Sequence, residues 1–295
     1  IIKLIKQGIN PENIFVLTYM ESAAKNFKER IQQAVPDNSE LPNISTIHGL
    51  ALRIINDNGN YVRAGLDDKF EICGDNTKEK IIKELFYTLK LDDDKYDNYL
   101  KCISIVKLAK NNKNLHSKFK EIQDFYNFYN NYNQVLKSQN LIDYDDMLYY
   151  AVKILEDNVE IRKYYQNLCR YIIEDEAQDS TDIQQRLISL LSSKHNNLVR
   201  CGDINQSITS TFTNANPDGF KNYIKSNKKV EMISSQRCAK PIYELANAMV
   251  KEVIKDENLR NAFYDIEMKG TDKNPQSNIL PVYKLFETER EERQY

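Results

Sequence analysis

The sequence has no tryptophan, only three histidines and five cysteines in 295 residues. His48, His116 and His195 are scattered, which excludes a histidine metal cluster. Cys73, Cys102, Cys169, Cys201 and Cys238 lie far apart with no CxxC pair, which argues against a disulfide framework or a zinc site and for reduced thiols. No apolar run reaches the ~18 residues of a membrane span, and none reads as a signal peptide, so a soluble, cytoplasmic chain is expected. The net charge of -2 carries no bulk signal for nucleic acid, although a protein that holds DNA in a local groove need not be basic overall.

What is present is an ordinary globular balance, 41% hydrophobic and 28% charged, in a chain long enough for roughly two domains. Asn, Lys, Ile and Tyr are abundant, a composition typical of an AT-rich genome. The chain opens on IIKLIKQG, which reads as the middle of a helix stopped by Gly8. It closes on ETEREERQY, where Thr288 and Glu291 have capping-box spacing; a piece of a larger protein is expected.

Residues 1–55 alternate strand and helix. NIFVLTY (13–19) is a short apolar strand, followed by a helix with Ala23, Ala24, Phe27 and Ile31 on one face and Thr18 and Glu21 in capping-box spacing. ISTIHGLALRII then gives a strand and a helix with Ile47, Leu50, Ala51, Ile54 and Ile55 at 3.6 periodicity, so a parallel sheet is expected. Residues 56–137 are polar, rich in Lys, Asn and Tyr, helical in pattern and without a convincing strand, which reads as a helical insertion. The aromatics at 125, 128, 129 and 132 fit one helix face, as packing residues would. From 138 to 224 the α/β pattern returns, with strands CRYIIEDE and NLVRCGD. Residues 225–295 begin another such unit, with strands expected at VEMISS and at ILPVYKLF (279–286).

The strongest local signal is YIIEDEAQD (171–179), an apolar strand ending in adjacent acids. Such acids emerge at the C-terminal edge of a parallel sheet, where ligands of open α/β sheets bind. Asp175 is placed to hold Mg²⁺ through water, and Glu176 to orient and deprotonate an attacking water. A bare Asp-Glu after a strand more often just caps the next helix.

The surrounding text decides between these readings. Asp-Glu-Ala-Gln-Asp resembles the DExQD form of the Walker B motif in UvrD/Rep-type superfamily 1 DNA helicases. LTYMESAAKNFKERI (17–31) resembles that family's motif Ia, STIHGLALRII (45–55) motif Ib, IDYDDML (142–148) its DFDDLL segment, GDINQSI (202–208) motif III and SSQRCAKPIYELAN (234–247) motif IV. Six motifs in the family's order are far more specific than any one of them.

The resemblance implies an α/β fold: a RecA-like P-loop NTPase parallel sheet carrying a helical insertion domain, and the start of a second RecA-like domain. It implies an ATP-dependent enzyme using Mg²⁺, moving 3′ to 5′ on single-stranded or partly duplex DNA. By the same resemblance Gln206 senses the γ-phosphate and Arg237 neutralises it from the second RecA-like domain. Thr18, Thr46 and His48 contact the phosphates of one DNA strand, and Phe212 offers a stacking platform for a base. Each has a plainer role open to it: helix caps for Thr18 and Thr46, a structural histidine, a polar loop residue for Gln206, a core position for Phe212.

Several positions depart from the family pattern. No Gly-Lys-Thr or Gly-Lys-Ser occurs, so the phosphate-cradling loop is expected upstream of Ile1 and the piece alone is expected not to hydrolyse ATP. Motifs V and VI are expected beyond Tyr295. Thr209 and Thr213 replace a tyrosine and an arginine of motif III, and Gln236 stands where a tyrosine stacks on adenine. A DNA-activated ATPase without unwinding, or a non-catalytic DNA- or partner-binding module, are the competing functions.

Overall fold

The computed structural model describes residues 1–36, 39–108, 123–207, 215–257, 259–277 and 279–294. The chain divides into two compact units, residues 1–203 with 209–220, and residues 204–208 with 221–295.

The first unit is built on four parallel strands: β1 (Ile14–Thr18), β2 (Asn43–Thr46), β5 (Tyr171–Glu174) and β6 (Leu198–Arg200), in the order β2-β1-β5-β6. β1 is apolar at four consecutive positions because it is central and covered on both faces; all five of its residues are buried. Its register pairs Leu17 with Ser45 on one side and with Glu174 on the other. All four strands point the same way, so their C-terminal ends, Thr18, Thr46, Glu174 and Arg200, share one edge of the sheet.

Helices complete the layers. α1 (Ile2–Lys6) stops at Gly8, whose φ of +81° is open to glycine at no steric penalty. α2 (Glu21–Ala34) crosses from β1 to β2. α3 (Ile47–Asn56) buries Ile47, Leu50, Ala51, Ile54 and Ile55, the face that its 3.6 periodicity marks. Burial of each large side chain there stabilises the fold by about 1.5–3 kcal/mol. Later in the chain, α7 (Tyr144–Asp157), α8 (Val159–Leu168) and α9 (Asp182–Ser192) close the same core with Leu148, Leu155, Tyr165, Leu187 and Leu191.

A separate core belongs to the helical stretch. α4 (Asp75–Leu89), α5 (Tyr96–Leu108) and α6 (Gln123–Ser138) join Ile82, Phe86, Tyr99, Ile103, Phe125, Phe128, Tyr129 and Tyr132. The aromatic stripe of α6 is therefore packing: Phe128 meets Phe86 edge-on at 5.4 Å, and Phe125 meets Tyr99 at 5.1 Å. The stretch is not purely helical. Glu71–Ile72 (β3) pairs in parallel with Leu141–Ile142 (β4), too short a strand for alternation to reveal.

One buried charge cluster ties this helical core to α7. Lys107 of α5 donates to Asp143 and to Asp146, each at 2.7 Å, and the Tyr132 hydroxyl donates to Asp143 at 2.9 Å. Asp143 also caps α7 in a reciprocal box with Asp146. Burial alone would pull the Lys107 ammonium down; the attraction of Asp146 and Asp143 outweighs it and holds the group above the usual lysine range.

The second unit differs from the sequence expectation. VEMISS forms no strand: only Ser234 makes a single parallel bridge, to Lys269. ILPVYKLF is not a strand either, because none of its residues has a ladder partner among the described residues; Ile279, Leu280, Val282, Tyr283 and Leu285 are exposed. The unit is organised instead by α11 (Lys240–Val253) and by two asparagines. Asn247 donates to the carbonyl of Met268 and accepts from its amide, at 2.8 and 2.9 Å, and Asn205 does the same to Tyr264 at 2.9 and 2.7 Å. Each carboxamide thereby satisfies both backbone groups of one loop residue, as a neighbouring strand would. α10 (Pro217–Ser226) precedes this region, and α12 (Glu289–Gln294) follows with Thr288 accepting from the Glu291 amide at 3.3 Å.

Candidate functional site

Asp175 and Glu176 follow directly on β5, at the shared C-terminal edge of the sheet. The main chain there is held from both sides. The Asp175 amide donates to the Leu17 carbonyl at 2.9 Å, the Ala177 amide to the Cys201 carbonyl at 2.9 Å, and the Cys201 amide to the Glu174 carbonyl at 2.8 Å. Both neighbouring strands thus fix the height at which the acids leave the sheet.

Asp175 is half-buried, and burial, then the adjacent Glu176 charge, push its carboxyl above the usual range. Glu176 is exposed and takes a left-handed backbone, φ +53°. A residue with a Cβ is rarely found there, and such conformations concentrate where a side chain must be aimed. The carboxylate is held by Gln178, whose Nε2 donates to Glu176 Oε2 at 2.7 Å. Gln178 is buried, and its Oε1 accepts from the Asp203 amide at 3.0 Å.

Beneath the acids lies a buried ion pair. Arg200 ends β6 beside Glu174, and its Nη2 donates to Glu174 Oε1 at 3.2 Å while Nε donates to Oε2. The Ser180 hydroxyl donates to the same carboxylate, and the guanidinium lies over the Phe220 ring at 5.6 Å. Position 202 is closely packed: a Cβ there would sit 2.5 Å from Gln178 Oε1, 2.9 Å from the Phe220 ring and 3.2 Å from the Ala177 backbone nitrogen. Gln178, Glu174 and Arg200 received no role from the sequence. The pairing of Glu174 with Arg200 had one available signal, opposite charges at the ends of adjacent apolar strands.

The remaining expected residues fall in different places. Thr18 and Thr46 sit at the same sheet edge, but both are buried and both hydroxyls bond inside the fold. Thr18 donates to the Met20 carbonyl at 3.0 Å. Thr46 caps α3 by accepting from the Gly49 amide at 3.0 Å, and donates to Glu21 at 2.9 Å. The capping box expected of Thr18 and Glu21 does not form, since α2 is preceded by Met20 and Glu21 is turned to Thr46. His48 is half-buried in the first turn of α3, edge-on to Tyr144 at 5.9 Å. Burial lowers its imidazole from the usual value, against the opposing charge of Asp145.

Gln206 and Arg237 belong to the second unit and are exposed, Gln206 in a short turn (Ile204–Gln206) and Arg237 in a bend ahead of α11. Phe212, Thr209 and Thr213 lie outside the described residues. Among the described residues, no three His, Cys, Asp or Glu side chains converge on a metal position. Asp175 suits Mg²⁺ nonetheless, because that ion keeps most of its water and takes one or two carboxylates together with substrate phosphates. No described helix is long and apolar enough to cross a membrane.

The family profile described as UvrD/REP helicase N-terminal domain matches residues 1–229. The chain belongs to the UvrD/REP helicase family. Its relatives include an ATP-dependent DNA helicase PcrA of Staphylococcus aureus, 28% identical over 256 residues, covering 84% of this chain and 35% of that protein. A probable DNA helicase II homolog of Mycoplasma capricolum is 28% identical over 258 residues, covering 83% and 35%. Another, of Rickettsia conorii, is 31% identical over 215 residues, covering 70% and 33%. The chain thus spans about a third of the length of the curated relatives it matches. Its parallel sheet with covering helices is the mixed α/β arrangement of a UvrD/REP helicase domain, consistent with a RecA-like fold.

Proposed function

We propose that this chain is part of an ATP-dependent DNA helicase or translocase of UvrD/Rep type, in which Asp175 and Glu176 form the acidic half of the ATPase centre. The observation that carries the reading is their emergence from β5 at the C-terminal sheet edge, between the ends of β1 and β6. Asp175 would hold Mg²⁺, which would supply charge neutralisation at the phosphates. Glu176 takes a proton from water as the water oxygen bonds to the γ-phosphorus. The bond from that phosphorus to the β–γ bridging oxygen breaks, and ADP and phosphate leave. Gln206 reports the γ-phosphate and Arg237 neutralises charge on it.

We divide the chain into a RecA-like domain (1–55 and 138–224), a helical insertion (56–137) and the start of a second RecA-like domain (225–295). Movement along single-stranded or partly duplex DNA, 3′ to 5′, is carried over from the family resemblance. His48 is the proposed phosphate contact among the described residues. Thr18 and Thr46 support that surface through the main chain and the α3 cap rather than through free hydroxyls, and Phe212 is retained as the stacking platform. The sequence holds no Gly-Lys-Thr or Gly-Lys-Ser, so the 295 residues alone are proposed not to turn over ATP.

The test uses the full-length protein. ATP hydrolysis with and without single-stranded DNA is measured beside strand separation of a tailed duplex. DNA-stimulated hydrolysis with unwinding is expected. Hydrolysis without unwinding would favour an ATPase switch, and neither activity would favour a non-catalytic binding module.

A further inference from the structure

Gln178 makes a pair of bonds that the hydrolytic reading does not use. Its amide nitrogen donates to Glu176 Oε2 at 2.7 Å and lies 3.3 Å from Asp179 Oδ2, while its amide oxygen accepts from the Asp203 main-chain amide at 3.0 Å. The two ends fix the orientation of the group. Reversed, the oxygen would face two carboxylates and the nitrogen would face an N–H, so both bonds would become repulsive. Side-chain burial and Gly202 hold the group in place. The residue is 1% exposed, and the loop after β6 approaches its oxygen so closely that a Cβ at position 202 would sit 2.5 Å from it.

Glu176 itself has little else to orient it, being exposed and on a left-handed backbone. We propose that Gln178 is a positioning residue for hydrolysis: it anchors Glu176 Oε2 to the Asp203 main chain and so presents Oε1 to the attacking water. The amide nitrogen has only donor hydrogens to offer, so the bond fixes the position of Oε2 and with it the direction of Oε1. It also makes the reach of the carboxylate depend on where the Asp203 segment sits, four residues before the end of GDINQS. This inference rests on Glu176 being the base.

The experiment compares Gln178→Met, Gln178→Glu and Glu176→Gln in the full-length protein, by DNA-stimulated ATP turnover across pH 6 to 8.5. Gln178→Met keeps the volume and loses the donor. It is expected to lower kcat about 10- to 100-fold, the scale of a misplaced catalytic group, while KM for ATP stays within about twofold. Gln178→Glu is expected to be equally slow at high pH, with its rate relative to wild type rising as the pH falls and its new carboxyl gains a proton to donate. A residue that only fills space would show neither the kcat-against-KM split nor that pH dependence. The inference is overturned if Gln178→Met turns over at the wild-type rate, or changes KM alone, while Glu176→Gln is inactive. Wild-type turnover by Glu176→Gln would instead remove the base reading, and the positioning role with it.

Discussion

Arg200 and Glu174 form a buried ion pair at the C-terminal ends of adjacent parallel strands, one residue before the acid that we assign to Mg²⁺. The carboxylate is fully buried and the guanidinium nearly so. Ser180 adds a hydroxyl donor and Phe220 a ring face, so the charge is satisfied on several sides. Removing one partner of such a pair leaves an uncompensated charge, which costs about 3–5 kcal/mol. Arg200→Met is therefore expected to destabilise the first unit by that amount, read as a lower urea midpoint at unchanged slope. Ser180→Ala removes one donor among several and is expected to cost about 1–3 kcal/mol.

The Lys107 cluster gives a pH-dependent prediction. Burial, then the charge of Asp143, lifts the Asp146 carboxyl to about 6. The folded chain therefore holds this proton more tightly than the unfolded chain, where such a group titrates near ~3.9. The stability contributed is present below about pH 4 and lost as the pH rises through about 6. Asp143 has the opposite sign. Against the upward push of burial, the charges of Lys107 and Lys78 hold it below the usual range, so its contribution is lost on acidification. Asp146→Asn is expected to flatten the pH dependence of the unfolding free energy between pH 4 and 6. An unchanged slope in that window would contradict the assignment.

Gly202→Ala tests the closeness of the loop after β6. The added methyl meets the Gln178 amide oxygen and the Phe220 ring, both side-chain atoms that can yield. The fold is expected to survive with a loss of about 1–3 kcal/mol, typical of overpacking. The displaced amide is expected to lower ATP turnover well beyond what this stability loss explains, measured on protein shown folded by circular dichroism.

His48 tests the DNA reading. Its imidazole is lowered by burial, so at neutral pH it meets a phosphate as a neutral hydrogen-bonding group. His48→Ala is expected to weaken single-stranded DNA binding by about 1 kcal/mol, the net worth of one hydrogen bond. The slope of log affinity against log salt is expected to stay the same, because a neutral group releases no counterion. A reduced slope would show that the residue binds in its charged form.

Much of the first unit was legible because its signals are local. β1 is four apolar residues in a row, α3 carries its buried face at helical spacing, and the α6 aromatics fall on one side. The acids at the end of β5 were legible for the same reason. What stayed hidden depends on long-range placement. The bond from Gln178 to Asp203 spans 25 residues, and that from Lys107 to Asp143 spans 36. Thr18 and Glu21 had the spacing of a capping box, yet Thr46 of the neighbouring strand offered Glu21 a donor and took it. VEMISS and ILPVYKLF have strand composition, but a strand also needs a neighbour to pair with, and composition does not supply one.

The central claim is that Glu176 is the base of an ATPase centre whose binding elements are separate from it. The direct measurement is Glu176→Gln in the full-length protein, comparing ATP affinity with the rate of hydrolysis in the presence of single-stranded DNA. The account predicts that nucleotide binding survives within a few-fold while turnover falls by about 100-fold or more, the scale of a lost general base. Turnover near the wild-type rate would contradict it.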